Sequence, residues 1–170
     1  EPLTLDDGTP VSALSVICPT KMQRAQRRLY LRADVPAGRV VRAAFWLGGV
    51  EAEPRLDTPE TPVWSGRVSN ISAGGVQISA EAALGDLFDT GDVFGMHVSF
   101  GPGEGAVHTE AQFRHAEWNG QRVLLGFQFV GLEHTPEGRK SLQFIGRRVG
   151  QFRRETEHQQ RARRSRSASR

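Results

Sequence analysis

The stretch VHTEAQFRHAEWNGQRVLLGFQFV, residues 107–130, predicts two antiparallel strands joined by a tight turn. The turn signal is Asn119-Gly120, because an Asn-Gly pair between two strand-like runs is typical of a two-residue hairpin loop. Four more strand-like runs precede this hairpin, namely Arg39–Leu47, Val63–Ser72, Gly75–Ser79 and Val93–Phe100. Six short strands without helical crossovers predict an all-β antiparallel domain, either a barrel or a sandwich.

A helix is predicted after the strands. Residues 135–137, Thr-Pro-Glu, supply an N-cap, a proline for the first turn and an early acidic residue. Apolar residues then recur at helical spacing at Leu142, Ile145, Val149 and Phe152. This stripe is expected to pack on the β domain rather than bind a cofactor. Residues 81–90 are expected to contain a short helical turn.

The net charge of +3 on 170 residues is unevenly distributed. Residues 153–170 carry seven arginines against two glutamates, so the rest of the chain is slightly acidic. Residues 154–170 have almost no apolar side chains and are expected to form a disordered, arginine-rich tail. The chain has 20 arginines against two lysines, which indicates either a GC-rich genome or selection for guanidinium chemistry.

Composition and motifs argue against several classes of protein. No apolar run is long enough for a membrane span, so membrane insertion is not predicted. The single cysteine, Cys18, excludes an internal disulfide and a cysteine-based zinc site. The five histidines form no metal-binding pattern, Ser72 lacks a GxSxG frame, and there is no phosphate-binding P-loop. We therefore predict no enzyme activity, no metal and no cofactor.

Two polar constellations stand out. Arg28 and Arg32 lie four residues apart at the start of a period-two segment, which places both on one face with Tyr30 and Asp34. Guanidinium groups match pairs of phosphate oxygens or the O6/N7 edge of guanine. The opposite face of this segment is apolar and consists of Leu29, Leu31, Ala33 and Val35.

The second constellation is RVSNISAGGVQIS, residues 67–79. Asn70 and Ser72 alternate onto one strand face with Ile71 on the other, and Gly74 and Gly75 turn the chain. Glycines there allow positive φ and a close approach of a ligand to the backbone. Taken alone, each constellation also fits a solvated strand face or an ordinary hairpin.

In this order, RRxxxR followed by NxSxxG resembles the PilZ domain family from about Gln26 to Phe152. The run HAEWNGQRVLLGFQF, residues 115–129, is similar to the closing hairpin of the family. The resemblance implies a six-stranded antiparallel β-barrel with a C-terminal helix across one end. It also implies a cytoplasmic bacterial module that binds the second messenger cyclic di-GMP.

The resemblance also implies roles for particular residues. Arg28 and Arg32 would wrap around cyclic di-GMP, and Asn70 and Ser72 would hydrogen-bond a guanine. Gly74 and Gly75 would let the base approach the turn. Arg27, immediately before the motif, resembles the family members that bind an intercalated cyclic di-GMP dimer.

The resemblance divides the chain into three parts. Residues 1–25 look like a strand and linker at the end of an upstream domain, residues 26–153 form the PilZ domain, and residues 154–170 form the tail. Flagellar-brake members carry such an upstream β domain. A stand-alone protein with its own N-terminal strand is the competing interpretation of residues 1–25.

Three functions remain open at this stage. The favoured one is a cyclic di-GMP receptor that orders its RxxxR linker and regulates motility or exopolysaccharide and biofilm output. Its protein partner would be a flagellar motor or polysaccharide synthase component. The second is a PilZ-fold adaptor that acts by protein contacts without a ligand. The third, nucleic-acid binding through the arginine tail, is disfavoured.

Overall fold

The computed structural model describes residues 3–4, 10–11, 29–55 and 61–168. Its strands are β1 (Leu3–Thr4), β2 (Pro10–Val11), β3 (Arg32–Asp34), β4 (Arg42–Leu47), β5 (Trp64–Ser72), β6 (Gly75–Glu81), β7 (Val93–Ser99), β8 (Ala106–Asn119) and β9 (Arg122–Val130). The helix is α1 (Pro136–Ala168), and short 3₁₀ turns cover Val50–Ala52 and Ala82–Leu84. The second of these turns confirms the helical turn predicted within residues 81–90.

Six strands close into an antiparallel barrel. The hydrogen-bonded order is β5-β4-β7-β8-β9-β6, and the pairing of β6 with β5 completes the ring. Strand β3 is an extra strand, which pairs with the part of β5 that extends beyond β4. The predicted six-stranded barrel with a C-terminal helix is therefore confirmed. Strands β1 and β2 pair with each other as a separate two-stranded sheet.

The barrel is filled with aromatic side chains, as expected for a strand-rich domain without disulfides. Phe45, Phe88 and Phe94 pack edge to face, with ring centroids 5.0–6.2 Å apart. Phe127 lies 5.2 Å from Phe45 and 5.3 Å from Phe94. Such pairs contribute about 0.5–1.5 kcal/mol each beyond the burial of their area. This rigid interior fixes the outer strand faces on which polar residues lie.

The apolar face predicted for the segment before β4 is only partly buried. Ala33 is buried, but Leu29 and Leu31 are 89% and 66% exposed. The reason is that β3 pairs with β5 only through residues 32–34, and β5 ends at Ser72. Residues before Arg32 therefore run past the end of their partner strand, with no sheet to pack on.

The β8–β9 hairpin is confirmed, but its loop lies one residue later than predicted. Asn119 pairs with Arg122, so the two loop residues are Gly120 and Gln121. Gly120 has φ of +63°, and Gln121 does not have a positive φ. A turn of type II′ needs a positive φ only at its first central position, which glycine supplies without strain.

Helix α1 begins as the sequence predicts. The Gly138 N–H donates to Thr135 Oγ1 at 3.0 Å, which is an N-cap hydrogen bond. Ile145, Val149 and Phe152 are buried against the barrel, and Leu142 is half-buried beside them. The predicted apolar stripe is therefore confirmed.

The predicted disorder of residues 154–170 is wrong for the described part of this segment, because α1 continues to Ala168. Residues 153–168 contain neither proline nor glycine and are rich in arginine, glutamine and alanine, which have high helix propensity. Gln159 Nε2 also donates to the Ala37 carbonyl oxygen at 3.1 Å and ties this half of the helix to the barrel. Among the described residues, no helix is long and apolar enough to cross a membrane.

An ionic cluster fastens α1 to the segment between β3 and β4. Arg39 Nε and Nη2 donate to the two carboxylate oxygens of Glu155 at 3.1 and 2.8 Å, and Nη1 donates to Glu104. Arg148 Nη1 also donates to Glu104 at 3.2 Å. The hydrogen bonds from Arg39 hold the pKa of Glu155 below its ordinary value, and those to Glu155 raise the pKa of Arg39. The cluster thus joins the helix to the chain that leaves β3.

Candidate functional site

Antiparallel pairing brings the two sequence motifs together. Arg32 on β3 lies opposite Ser72 on β5, and Asp34 lies opposite Asn70. Directly opposed residues point to the same face of a sheet, so all four side chains share the outer face. Ile71, between Asn70 and Ser72, is fully buried on the other face.

A cavity of about 400 Å³ opens over this outer face. It crosses five neighbouring strands in the order β3-β5-β6-β9-β8. The residues that line it are Leu29, Tyr30, Arg32, Asn70, Ser72, Gly74, Gly75, Val76, Gln77, Arg114, His115, Gly126, Phe127 and Gln128. The described part of this lining contains two arginines and no carboxylate, so the cavity suits an anionic ligand.

Among the predicted ligand-binding arginines, Arg32 is the one that the structure describes. Its side chain is exposed at the cavity rim and forms no hydrogen bond or ion pair with the other described residues. Its guanidinium group can therefore bind a ligand without first breaking a contact in the described part of the protein. Arg27 and Arg28 lie outside the described residues.

Asn70 and Ser72 differ in what they offer to a ligand. Asn70 Nδ2 donates to Gln77 Oε1 at 2.6 Å, and the Asn70 amide oxygen accepts no hydrogen bond from the described residues. Ser72 is only 5% exposed, and its Oγ accepts from the Gly74 N–H at 3.3 Å. The same hydroxyl donates to the Gly75 carbonyl oxygen at 3.4 Å. Ser72 therefore shapes the turn, whereas Asn70 lines the cavity and keeps an acceptor that no described residue uses.

Gly74 and Gly75 are required for space rather than for an unusual backbone conformation. Neither residue has the positive φ that glycine allows. A Cβ on Gly75 would lie 2.2 Å from the Phe127 carbonyl oxygen, and one on Gly74 would lie 2.5 Å from Tyr30 Cδ2. The turn thus lies against strand β9 on one side and under the Tyr30 ring on the other.

Several cavity residues were not identified from the sequence. Gln77, Arg114, His115 and Gln128 belong to β6, β8 and β9, and Tyr30 lies beside Gly74. The position of Gln77 two residues after Gly75 was a usable signal, because alternate residues of a strand share a face. No sequence signal marked Arg114 and His115, because a bulge places them.

Two bulges flank the cavity. On β5, Val68 pairs with Ile78 and Asn70 with Gln77, so Ser69 is an extra residue. Ser69 Oγ donates to the backbone oxygen of Gln77 at 3.1 Å. The second bulge, on β8, lies between Phe113 and His115. Bulges often occur beside binding sites, where they redirect side chains.

Comparisons with known proteins agree with this fold. The family model described as PilZ domain matches residues 26–145. The structure of the PilZ domain with c-di-GMP of YcgR from Escherichia coli has a TM-score of 0.55 at 22% identity. That match covers 76% of this chain and 96% of the other. No curated protein matches this chain.

Two longer proteins are also similar in structure. YcgR in complex with c-di-GMP from Escherichia coli has a TM-score of 0.55 at 20% identity, over 85% of this chain and 51% of the other. The Bacillus subtilis inhibitor of motility, MotI/DgrA, has a TM-score of 0.52 at 21% identity, over 77% of this chain and 55% of the other. The chain thus spans about half the length of these two proteins. Since the family model covers most of its length, the chain belongs to the PilZ domain family.

Proposed function

We propose that the cavity binds cyclic di-GMP and that this binding is the input of a signalling protein. PilZ domains are ligand-binding or adaptor modules rather than enzymes, so binding is the activity to explain. Cyclic di-GMP is the ligand named in the structures of the YcgR PilZ domain and of YcgR. Its two phosphates and two guanines require cations and short polar groups at the same place.

The observation that carries the proposal is the pairing of Arg32 with Ser72. An exposed guanidinium group thereby lies beside Asn70 and the Gly74-Gly75 turn, on a cavity whose described lining has no carboxylate. Arg32 would donate to phosphate oxygens or to the guanine O6/N7 edge. The Asn70 amide oxygen would accept from a guanine N–H.

The test is a calorimetric titration of the wild-type chain with cyclic di-GMP and with duplex DNA at two salt concentrations. We expect saturable binding of cyclic di-GMP at both. If the chain instead binds nucleic acid through the exposed arginines of α1, duplex DNA should bind and its affinity should fall steeply with salt concentration. Absence of cyclic di-GMP binding would favour the adaptor alternative, in which the fold acts only by protein contacts.

We also propose that binding orders the segment before β3. Leu29 and Leu31 are exposed, so little apolar burial holds this segment on the barrel in the free protein. A ligand that contacts both the segment and β5 would stabilise the closed arrangement by its higher affinity for it. Hydrogen exchange tests this point: new protection of residues 29–34 supports ordering, and protection confined to residues 70–76 contradicts it.

The output would then pass to a protein partner. MotI is described as an inhibitor of motility, which suggests motility control as one such output. The chain that leaves β3 reaches Arg39, which is ion-paired to Glu155 of α1, so a displacement of β3 would pull on this helix. Affinity capture with and without cyclic di-GMP, in a motile bacterium, would identify the partner. A flagellar motor or polysaccharide synthase component is the expected class.

A further inference from the structure

Arg114 and His115 are consecutive residues of β8, yet both line the cavity. Consecutive strand residues normally point to opposite faces, and Phe113 points into the core. The register explains the exception. Phe113 pairs with Phe127 and His115 with Gly126, so Arg114 is the extra residue of a bulge. The bulge therefore delivers two adjacent polar side chains to the cavity wall.

The guanidinium group of Arg114 is held in place by Gln128. Nε and Nη2 of Arg114 donate to the same oxygen, Gln128 Oε1, at 2.9 and 2.7 Å. Gln128 pairs with Gly75 across β6 and β9, so this contact lies beside the NxSxxG turn. Nη1 donates to no other described residue, which leaves the Nη1–Nη2 edge for a further pair of acceptors.

His115, the residue after Arg114 on β8, also lines this part of the cavity. The three ring atoms Cε1, Nδ1 and Nε2 lie 2.3, 2.7 and 2.7 Å from where a Cβ on Gly126 would be. Such similar distances mean that the face of the ring, not its edge, covers the glycine. A flat ring beside an arginine fork is suited to a planar base with acceptors on its edge.

We propose that Arg114 is a second anchor for the ligand, at the opposite end of the cavity from Arg32. It would donate from its Nη1–Nη2 edge to two acceptors, either phosphate oxygens or the O6/N7 edge of guanine. Arg32 on β3 and Arg114 on β8 belong to the first and last of the five strands under the cavity. The inference rests on the proposed binding of cyclic di-GMP, and it extends the site beyond its two motifs.

The test compares Arg114→Gln with Arg122→Gln in calorimetric titrations with cyclic di-GMP. Arg122 is an exposed arginine of β9 that donates to Ser79 and does not line the cavity, so its substitution is a matched charge control. We expect Arg114→Gln to weaken binding by about ten-fold or more, since it removes charge-assisted hydrogen bonds. Arg122→Gln should bind within about two-fold of wild type. Melting temperatures establish that both variants are folded.

A cyclic di-GMP analogue with 7-deazaguanine bases distinguishes the two sources of acceptors. If Arg114 binds the guanine edge, the analogue should weaken binding to wild type by a larger factor than binding to Arg114→Gln, because the two losses are then coupled. If Arg114 binds phosphate, the analogue should affect both proteins equally. Arg114→Lys keeps the charge without the planar fork, and a loss comparable to that of Arg114→Gln would establish paired hydrogen bonds.

The outcomes separate this proposal from the proposed function. If wild type binds cyclic di-GMP, Arg32→Ala weakens it and Arg114→Gln does not, the second anchor is refuted and the receptor function stands. If wild type does not bind cyclic di-GMP at all, both are refuted. A loss in Arg114→Gln that Arg122→Gln matches would mean a general charge effect, and it would also overturn the anchor.

Discussion

Arg32 and Ser72 lie directly opposite each other across the antiparallel pair of β3 and β5, although forty residues separate them in the chain. The pairing aligns Asp34 with Asn70 two residues further along. It converts two short polar patterns, each common in unrelated proteins, into one surface beside a cavity. The variants below test how this surface is built and what it binds.

Ser72 should contribute mainly to the turn. Ser72→Ala leaves the Gly74 N–H without its acceptor, so we expect a loss of about 1 kcal/mol in stability. For a chain of this length, that corresponds to a fall of roughly 2–4 °C in Tm. Asn70→Ala, at a half-buried position that lines the cavity, should weaken cyclic di-GMP binding by several-fold with a smaller change in Tm. Thermal melts and titrations of both variants measure this, and an unchanged Tm for Ser72→Ala would contradict the structural role.

Gly75 should tolerate no side chain. A Cβ there would lie 2.2 Å from the Phe127 carbonyl oxygen, which is backbone and cannot move aside without opening the β6–β9 pairing. Gly75→Val should therefore lower the urea midpoint of unfolding and abolish cyclic di-GMP binding. Gly74→Ala is the control, because its new methyl group would meet the movable Tyr30 ring. A Gly75→Val protein as stable as wild type would show that this close approach is not required.

The architecture was predictable because it depends on patterns that are local in the sequence. Strand-like runs, the hairpin near Asn119 and the Thr135 cap were sufficient to predict an all-β antiparallel domain followed by a helix. The barrel, rather than a sandwich, was implied by the resemblance to the PilZ family. The exposure of Leu29 and Leu31 was not predictable, because it depends on where their partner strand β5 ends. The helix beyond Arg153 was not predicted, because its polar composition is also typical of disordered segments, although its residues have high helix propensity.

Only the residues of the site that belong to the two motifs were predictable. Arg32, Asn70 and Ser72 belong to a recognisable pattern, and the structure brings them together. The positions of Arg114 and His115 depend on a bulge, where β8 has one residue more than β9. The sequence does not show where such a bulge occurs, because it forms when the strands pair. Gly75 does not have the positive φ that glycine allows; a neighbouring carbonyl group, not the turn, requires glycine there.

Glu155 should make stability depend on acid pH. Its pKa is lowered chiefly by the hydrogen bond from Arg39, so its contribution is complete above the ordinary glutamate pKa of 4.5. The contribution is lost as the pH falls through the lower pKa of the folded state. Glu155→Gln should therefore reduce Tm at pH 7 and show a weaker decline between pH 5 and pH 3 than wild type. Glu157→Gln, at an exposed position of the same helix, should change little.

Arg27 should determine how many ligand molecules bind. A third arginine beside Arg28 and Arg32 would offset the four phosphate charges of two stacked cyclic di-GMP molecules. We expect calorimetry to give two molecules per wild-type chain and a ratio closer to one for Arg27→Leu. A wild-type ratio of one would refute the dimer and leave the receptor function intact.

The central claim is that the surface joined by Arg32 and Ser72 binds cyclic di-GMP, and the most direct measurement is calorimetric titration of Arg32→Ala beside wild type. Arg32 is exposed and has no partner among the described residues, so its loss should leave Tm unchanged. Charge-assisted hydrogen bonds contribute roughly 1.5–3 kcal/mol each, which predicts affinity lowered by about ten-fold to more than a hundred-fold. Arg42→Ala, at an exposed position of β4 away from the cavity, should bind like wild type. Wild-type affinity in a folded Arg32→Ala protein would contradict the account.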